Sequence, residues 1–245
     1  MKVRLFYEGP LAVGQHVILP EAAAHHARDV LRLEAGAAVI LLNGLGGEYT
    51  AALTLVTKKL IQADVLAFTQ RDAESPFVIT VAQSLATGDK MDWVVEKAVE
   101  LGAAVVVPIA AARSVLKLNP ERAEKRAAHW QAIARAACEQ CGRNRLARIE
   151  PVTELDAWLA ATRTTPGLKL MLSPVADAAF NTLAAPAPGS AIHLLIGPEA
   201  GLNDAEEAAA RAAGFTGIVL GPRVMRTETA ALAALAAIHA RWGDF

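Results

Sequence analysis

The spacing of apolar residues changes once along the chain, close to residue 72. Before that point, short apolar runs such as RLFYEG, QHVILP, AAVILLNG, GEYTAALTLV and KLIQADVLAF alternate with turn residues. One helical segment, Glu21 to Leu33, interrupts them, and the glycine-rich loop at 43–47 suits a hairpin because Gly and Asn tolerate positive φ. Many short strands in about seventy residues are typical of a small barrel. We therefore predict a β-barrel domain over residues 1–72.

From Phe77 onwards, apolar strands alternate with helical segments. The predicted strands are FVITVAQ, AVVVPI, LKLML, IHLLI and GIVLG. The predicted helices are Asp89–Leu101, Pro120–Cys141, a segment near Glu154–Ala161, a segment capped by Asn203 or Asp204, and Thr227–Trp242. Such alternation implies a parallel sheet with right-handed crossovers. We therefore predict an α/β domain over residues 73–245, entered through the polar stretch DAESP.

The composition predicts a folded protein of the cytoplasm. Apolar residues make up 53% of the chain and charged residues 20%, which is globular rather than disordered. The start, MKVRLFYEGP, lacks the apolar segment of an export signal, and no stretch has the length and apolarity of a membrane span. The formal net charge of −1 gives no overall positive field for nucleic acid, but a local patch of Arg and Lys would be enough to bind RNA.

Several common catalytic and metal-binding motifs are missing from the sequence. It contains no Walker loop, no G-x-G-x-x-G, no H-E-x-x-H and no G-x-S-x-G, so nucleotide-binding, metalloprotease and serine-hydrolase chemistry lack support. The pair Cys138 and Cys141 offers only two thiols at a predicted helix end, whereas a zinc site needs four ligands. We predict no metal site.

Two junctions of similar design remain as candidate chemistry. The segments IGPEAG (residues 196–201) and LGPRVMRT (residues 220–227) each follow a predicted strand and each lead into a helix. Backbone amides and helix N-termini converge at such places in α/β sheets, and glycine permits close approach of a flat ligand. Ordinary loop chemistry is the competing interpretation.

Two groups of basic residues are candidate RNA contacts. One lies on the helix of the barrel domain, with Arg4 as a possible extension, and the other follows the long helix of the second domain. A solvated helix surface is the competing interpretation for both. The residues concerned are Arg4, His25, Arg28, Arg32, Arg143 and Arg145.

The run IGPEAGLNDAEEAAARAAGF…LGPRVMRTETAALAAL resembles the C-terminal signature of the ribosomal RNA small subunit methyltransferase E family. Further similar blocks are HHARDVLRL, EKAVELG, the pair Arg113–Ser114 and CEQCGRNR, so the resemblance extends over essentially the whole chain. Ala200 stands where this family usually has glycine, Ala112 where it often has glutamate, and Thr87 where it often has lysine.

This resemblance implies a fold and an activity. The fold would be a PUA-like β-barrel that binds RNA, followed by an α/β domain of the SPOUT class with a C-terminal trefoil knot. The activity would be methylation of uridine at ring nitrogen 3 in 16S rRNA, in the small ribosomal subunit, by a homodimer that uses S-adenosylmethionine. The alternatives are a SPOUT enzyme for tRNA or a ribose hydroxyl, and an RNA-binding assembly factor without activity.

The chemistry of this reaction gives hypothetical roles to residues near the two junctions, and the resemblance implies the cofactor pocket. Arg226 would stabilise the anion that forms on the base, and Glu199 or Glu228 would take the proton. Glu228 has a competing structural role, because a negative charge suits the first turn of a helix. Arg113 would contact RNA. The cofactor pocket would comprise Leu172, Ser173, Ile196, Gly197, Glu199, Gly201, Leu220, Gly221, Met225, Arg226, Thr229 and Ala230.

Overall fold

The computed structural model describes residues 3–176 and 178–245, and these form two compact units. The first unit comprises Met1–Glu74 together with Cys138–Leu146, and the second comprises Ser75–Ala137 together with Ala147–Phe245. The division of the chain at residue 72 stays a prediction. Each unit is described separately below.

The first unit is built on one five-stranded sheet. Its strands are β1 (Val3–Phe6), β2 (His16–Ile18), β3 (Ala38–Leu42), β4 (Glu48–Val56) and β5 (Ile61–Thr69), in the spatial order β1-β3-β4-β5-β2. Only β1 and β3 are parallel, and the other pairs are antiparallel. Alternate residues of β4 and β5, among them Leu53, Ile61 and Ala63, enter a continuous apolar core. The predicted strand segments are therefore confirmed.

The helix of this unit is shorter than its sequence predicts. Helix α1 spans Glu21–His25 and continues directly as one π-helical turn, His26–Val30. The predicted helix reached Leu33, but Arg32 has a φ of 53°, which lies outside the right-handed helical region. The chain therefore leaves the helix before Leu33.

The second unit contains a parallel sheet. Its strands are β6 (Val78–Ser84), β7 (Ala103–Ala110), β8 (Arg148–Ile149), β9 (Thr153–Glu154), β10 (Leu168–Leu172), β11 (Ala178–Ala179), β12 (Ala191–Ile196) and β13 (Thr216–Val219). The order is β11-β13-β10-β12-β6-β7-β8, and β9 pairs with β7. Every pair in it is parallel. The predicted α/β class is confirmed, whereas the trefoil knot stays a prediction.

Among the described residues of the α/β part, five α-helices are present: α2 (Lys90–Glu100), α3 (Pro120–Cys141), α4 (Leu155–Thr162), α5 (Asp204–Ala212) and α6 (Thr227–Trp242). The Asn119 side chain accepts a hydrogen bond from the Arg122 amide at the start of α3. Asn203 and Glu206 form a reciprocal capping box at the start of α5, so the cap is Asn203. These caps explain why the helices begin where the sequence predicts.

Helix α6 is buried along much of its length and packs against α2. Its buried residues include Ala230, Ala234, Leu235 and Ile238, and small side chains allow this close approach. Within the described part of the chain, no helix is long and apolar enough to cross a membrane.

Candidate cofactor pocket and active site

The carboxyl ends of three neighbouring strands of the second unit surround one cavity. Because β13, β10 and β12 are adjacent and parallel, the segments that follow them leave the same edge of the sheet. They enclose a cavity of about 620 Å³, together with the first turn of α6 and Lys90. This volume lies within the range of about 300–1,000 Å³ found for small-molecule sites. The place is the one that parallel α/β sheets commonly use for ligands.

Almost all the residues predicted to bind the cofactor line this cavity. The exception is Thr229, which is exposed on the first turn of α6 and does not line it. The structure adds several residues that the sequence did not indicate, and the charged or polar ones are Lys90, Asp204, Glu207, Arg223 and Thr227. Their positions depend on loops that meet only in the folded protein.

Two glycines in the wall of the cavity have structural reasons to be glycine. A Cβ placed on Gly197 would lie 3.1 Å from the Leu202 amide nitrogen and 3.3 Å from its Cγ, which is tighter than ordinary packing. Gly221 has a φ of 150°, which other residues rarely adopt. Both turns therefore bring bare backbone to the cavity surface.

Glu199 is held by Thr87, which precedes α2, and by Lys90, the first residue of α2. Its Oε1 accepts hydrogen bonds from the Thr87 amide and hydroxyl, each at 3.2 Å, and from Lys90 Nζ at 3.1 Å. Burial alone would raise the pKa of Glu199, but hydrogen bonds from its own amide, from Lys90 and from the Thr87 amide outweigh it and hold the pKa below its ordinary value. Glu199 is therefore a carboxylate at neutral pH.

The start of α6 places three consecutive side chains in different surroundings. Arg226 is exposed and lines the cavity. The buried Thr227 hydroxyl donates to the Gly197 carbonyl at 2.6 Å and accepts from Gln83 Nε2 at 2.7 Å. Glu228 Oε2 is buried, accepts no hydrogen bond from the described residues, and lies 3.9 Å from Lys90 Nζ. Lys90 thus stands between the two carboxylates that the sequence proposed as proton acceptors.

The segment after β7 is hydrogen-bonded to α5, which begins beside the cavity. Glu206 Oε1 accepts a hydrogen bond from the Ala112 amide at 2.7 Å. Arg113 is exposed, and its Nη1 lies 3.4 Å from the carbonyl oxygens of Ala200 and Leu202. Ala200 itself is exposed at the cavity edge. Arg113 therefore supports the turn that contains Glu199, and its exposed face stays available to a ligand.

The basic residues predicted for RNA binding in the first unit differ in accessibility. His25 and Arg32 are exposed, whereas Arg28 pairs with Asp29 at 2.7 Å. Arg145 is 55% exposed and pairs with Asp72. The side chains of Arg4 and Arg143 are only 8% and 4% exposed and pair with Glu48 and Glu74. Arg4 and Arg143 thus have structural roles within the unit.

Cys138 lies buried in α3, with its Sγ 3.6 Å from the Arg145 carbonyl oxygen. Among the described residues, no group of three or more His, Cys, Asp or Glu side chains is arranged to hold a metal ion.

Comparison with known families assigns both parts of the chain to domains of RNA methyltransferases. The RNA methyltransferase domain family matches residues 73–239, and the RNA methyltransferase PUA domain family matches residues 19–66. A ribosomal RNA small subunit methyltransferase E from Bacillus subtilis is 34% identical over 220 residues, which cover 87% of this chain and 86% of the relative. The chain belongs to the ribosomal RNA small subunit methyltransferase E family.

Solved structures of similar proteins agree with this membership. A ribosomal RNA small subunit methyltransferase E from Neisseria gonorrhoeae, bound to S-adenosylmethionine, is 37% identical with a TM-score of 0.91 over 100% of both chains. A protein from Legionella pneumophila, solved with S-adenosylmethionine, is 34% identical with a TM-score of 0.95 over 100% of both chains. The family and the fold class predicted from the sequence are thereby confirmed.

Proposed function

We propose that this member of the methyltransferase E family transfers a methyl group from S-adenosylmethionine to ring nitrogen 3 of a uridine in 16S rRNA. The observation that carries the proposal is that one cavity of the second unit is lined by Arg226, Glu199 and nearly all the predicted cofactor residues. The substrate would be the assembled small ribosomal subunit.

The cavity suits the chemistry of S-adenosylmethionine. Apolar side chains at the strand ends, Leu172, Ile196 and Leu220 among them, offer surfaces to a flat adenine. Position 197 is a glycine, and a Cβ there would crowd the Leu202 backbone. Because Gly197 has no side chain, the backbone hydrogen-bonding groups of this turn remain accessible. Glu207, whose Oε1 accepts from the Ser173 hydroxyl at 2.9 Å, adds negative charge that favours a cationic ligand. When bound, S-adenosylmethionine would supply an electrophilic methyl group, and the electron pair of the carbon–sulfur bond would stay on sulfur.

Arg226 would stabilise the reacting base. The imide nitrogen of uridine becomes nucleophilic when it loses its proton, and the negative charge then spreads onto the two neighbouring carbonyl oxygens. A guanidinium beside these oxygens stabilises that charge, as in an oxyanion hole. Arg226 is exposed in the cavity, and no ion pair within the described chain neutralises it. Its donors are thus available to a substrate.

Glu199 and Glu228 are the two candidate proton acceptors of this reaction. Glu199 lines the cavity, but three donors already bind its Oε1. Glu228 Oε2 has no described donor, but this atom is buried and Glu228 does not line the cavity. An acceptor for general base catalysis must have a lone pair within reach of the proton. We therefore propose that one of these two carboxylates accepts the proton, and the comparison of their glutamine variants decides between them.

The exposed basic residues would contact RNA. In the first unit these are His25, Arg32 and Arg145, with the half-buried Arg28 beside them, and in the second unit Arg113. Such residues bind phosphate oxygens without reading sequence. Arg4 and Arg143, which are buried in ion pairs, would shape the surface of their unit instead.

The protein would act as a homodimer. Between the buried positions of α6 lie half-buried Leu232, Ala233, Ala236 and Ala237, which form a stripe of mostly small residues. Such a stripe permits close packing against a second copy. Light scattering should give about twice the chain mass of 25.8 kDa, and a mass of 25.8 kDa at working concentration would contradict the dimer.

Transfer of tritium from labelled S-adenosylmethionine tests the activity directly. The acceptors are purified 16S rRNA, 30S particles and bulk tRNA, followed by digestion and nucleoside mapping. We expect label in 3-methyluridine from 30S particles. Label in tRNA or on a ribose would favour another SPOUT activity, and no label in any acceptor would favour an RNA-binding assembly factor.

A further inference from the structure

The side chain of Glu207 connects α5 with the loop that follows β10. Its Oε1 accepts a hydrogen bond from the Ser173 hydroxyl at 2.9 Å, and its Oε2 lies 3.5 Å from Nη2 of Arg211, one turn further along α5. A carboxylate suits the first turn of a helix, and an i,i+4 pair with arginine suits its surface. The contact with the buried Ser173 brings the carboxylate to the wall of the cofactor cavity, which neither local effect requires.

Among the described residues, three carboxylate side chains line the cavity, and they differ in how far their charge is available to a ligand. Glu199 forms an ion pair with Lys90 at 3.1 Å. Asp204 is exposed, so water screens its charge. Glu207 is only 22% exposed, and its counter-ion Arg211 is 50% exposed and does not line the cavity. Glu207 is thus the carboxylate that presents its charge to the cavity from a partly dry position.

The backbone of β13 provides the space for the Arg211 guanidinium. A Cβ placed on Gly217 would lie 3.0 Å from Nη2 and 3.1 Å from Nη1 of Arg211, so the guanidinium lies directly against the bare backbone. The ion pair therefore orients Glu207 without placing the guanidinium in the cavity wall.

Methyl transfer changes the charge of the cofactor. S-Adenosylmethionine carries a carboxylate, an ammonium and a sulfonium group, and loss of the methyl group turns the sulfonium into a neutral thioether. The product, S-adenosylhomocysteine, keeps every other group. A negative charge in a partly dry cavity wall therefore favours the cofactor over the product, since charges interact more strongly there than in water.

We propose that Glu207 is a specificity-determining residue, which makes the cavity bind the sulfonium form of the cofactor in preference to the neutral product. This inference rests on the proposed function, because it takes S-adenosylmethionine as the ligand. Ser173 holds the carboxylate at the cavity wall, and Arg211 limits its negative charge. The weaker hold on the product lets fresh cofactor replace it after each transfer.

Calorimetric titration of Glu207→Gln with three ligands tests the proposal. The ligands are S-adenosylmethionine, S-adenosylhomocysteine and sinefungin, in which a carbon bearing an amine replaces the sulfur and its methyl group. Glutamine keeps the shape of the side chain and an oxygen for the Ser173 hydroxyl, so the substitution removes the charge alone. The Kd values for S-adenosylmethionine and sinefungin should rise about fivefold, and the Kd for S-adenosylhomocysteine should rise by less than about twofold.

An equal rise of the Kd values for all three ligands would overturn the proposal, because Glu207 would then contact a group that they share. Unchanged Kd values would overturn it as well. The three ligands are compared on the same variant, so a loss of folded protein alters the binding stoichiometry and leaves the ratio of the Kd values unaffected.

Two further variants separate the charge of Glu207 from other effects. Arg211→Met removes the counter-ion, so the ratio of the Kd for S-adenosylhomocysteine to the Kd for S-adenosylmethionine should rise above that of the wild type. Glu121→Gln removes the same charge at a 75% exposed site outside the cavity and should leave this ratio within about twofold. A ratio that falls in either variant as much as in Glu207→Gln would contradict the role of the Glu207 charge.

The proposed function and this inference fail in different ways. Wild-type protein that binds no S-adenosylmethionine and methylates no RNA would overturn the proposed function. Wild-type protein that binds the cofactor and methylates RNA, with a Kd ratio that stays the same in Glu207→Gln, would overturn the role of Glu207 alone.

Discussion

Arg226, Thr227 and Glu228 are consecutive residues, yet each meets a different part of the second unit. Arg226 points its charge into the cavity, Thr227 bonds to the wall of the cavity, and Glu228 lies beside Lys90. This separation arises because residues in the first turn of a helix project in different directions, about 100° apart. One short segment can therefore offer a charge to the base, hold the cofactor turn and place a carboxylate beside Lys90.

Replacing Arg226 by alanine should remove catalysis while cofactor binding persists. Loss of one donor to a developing anion costs about 10²–10³ in kcat. We expect such a loss in the tritium assay, with the Kd for S-adenosylmethionine within a few-fold of the wild type by calorimetry. Arg223→Ala, another exposed arginine of the cavity, serves as the comparison. A destroyed cofactor affinity would reassign Arg226 to the cofactor pocket.

Glu228→Gln and Glu199→Gln should differ in their effect on turnover. Removal of a general base costs about 10²–10⁴ in rate, so the glutamine variant of the proton acceptor should lower kcat by at least a hundredfold, and the other variant should keep kcat within about tenfold. Glu199→Gln should also raise the KM for the cofactor, because the turn loses its charged anchor at Lys90. Single-turnover kinetics over a range of cofactor concentrations measure both effects. Equal losses of kcat in the two variants would contradict a single proton acceptor.

At the scale of elements, the entry to α6 is joined to two strands through one hydroxyl group. Gln83, near the end of β6, donates to Thr227, and Thr227 donates to the Gly197 carbonyl after β12. Gln83 is fully buried and Thr227 is 6% exposed, so these hydrogen bonds are made away from water. They hold the start of α6 against the cofactor turn.

Thr227→Val keeps the shape of the side chain but removes its hydroxyl group. The Gly197 carbonyl and the Gln83 amide then lose their partner, which costs about 1–3 kcal/mol of unfolding free energy. Denaturant unfolding should show this loss, and calorimetry should show weaker cofactor binding. Thr164→Val, at an exposed site, should change stability by less than about 0.5 kcal/mol. Full stability with weakened binding would limit the role of Thr227 to the pocket.

At the scale of the whole molecule, the first unit is completed by residues from a distant part of the chain. Within it, the Phe6 amide donates to Glu139 Oε1 at 2.6 Å, and Arg71 Nη1 donates to the Gly142 carbonyl at 3.0 Å. Arg4 links Glu48 on β4 with Asn144. The basic cluster that follows α3 in the sequence is therefore partly structural.

The Arg4–Glu48 pair should make stability depend on pH in the acid range. Burial would raise the pKa of Glu48, but Arg4 and Arg71 outweigh it and hold the pKa below its ordinary value of 4.5. A carboxylate whose pKa is lower in the folded state stabilises the protein above its unfolded pKa. That stability is lost as the pH falls through the folded pKa.

Glu48→Gln should lower the unfolding free energy at pH 7 by about 1.5–3 kcal/mol, the worth of a hydrogen bond to a charged group. The difference from the wild type should shrink as the pH falls below 4.5, which urea titrations at several pH values measure. Glu121→Gln is the control, since the Lys125–Glu121 pair is 75% exposed on both sides and should contribute little. A constant difference across the range would contradict the role of the ion pair.

Much of the regular structure could be predicted from local patterns. The bounds of α3 and α6 agree with the prediction, because Asn119 and Pro120 start α3 and an unbroken helical pattern follows Arg226. The two-residue strands β8, β9 and β11 were not predicted, since two residues carry no periodicity. The early end of the barrel helix was also not predicted, because the positive φ of Arg32 is imposed by its surroundings.

The sequence by itself determined the strand-ending turns at Gly197 and Gly221, since glycine has local reasons to stand there. It also indicated Arg226 and the two carboxylates, from their places at the two junctions and the chemistry of the expected reaction. Only the tertiary structure decided that Lys90 lies between Glu199 and Glu228, and that Gln83 supports Thr227. These contacts join residues more than a hundred positions apart. They exist because β12 pairs with β6, and no local pattern encodes which strands become neighbours.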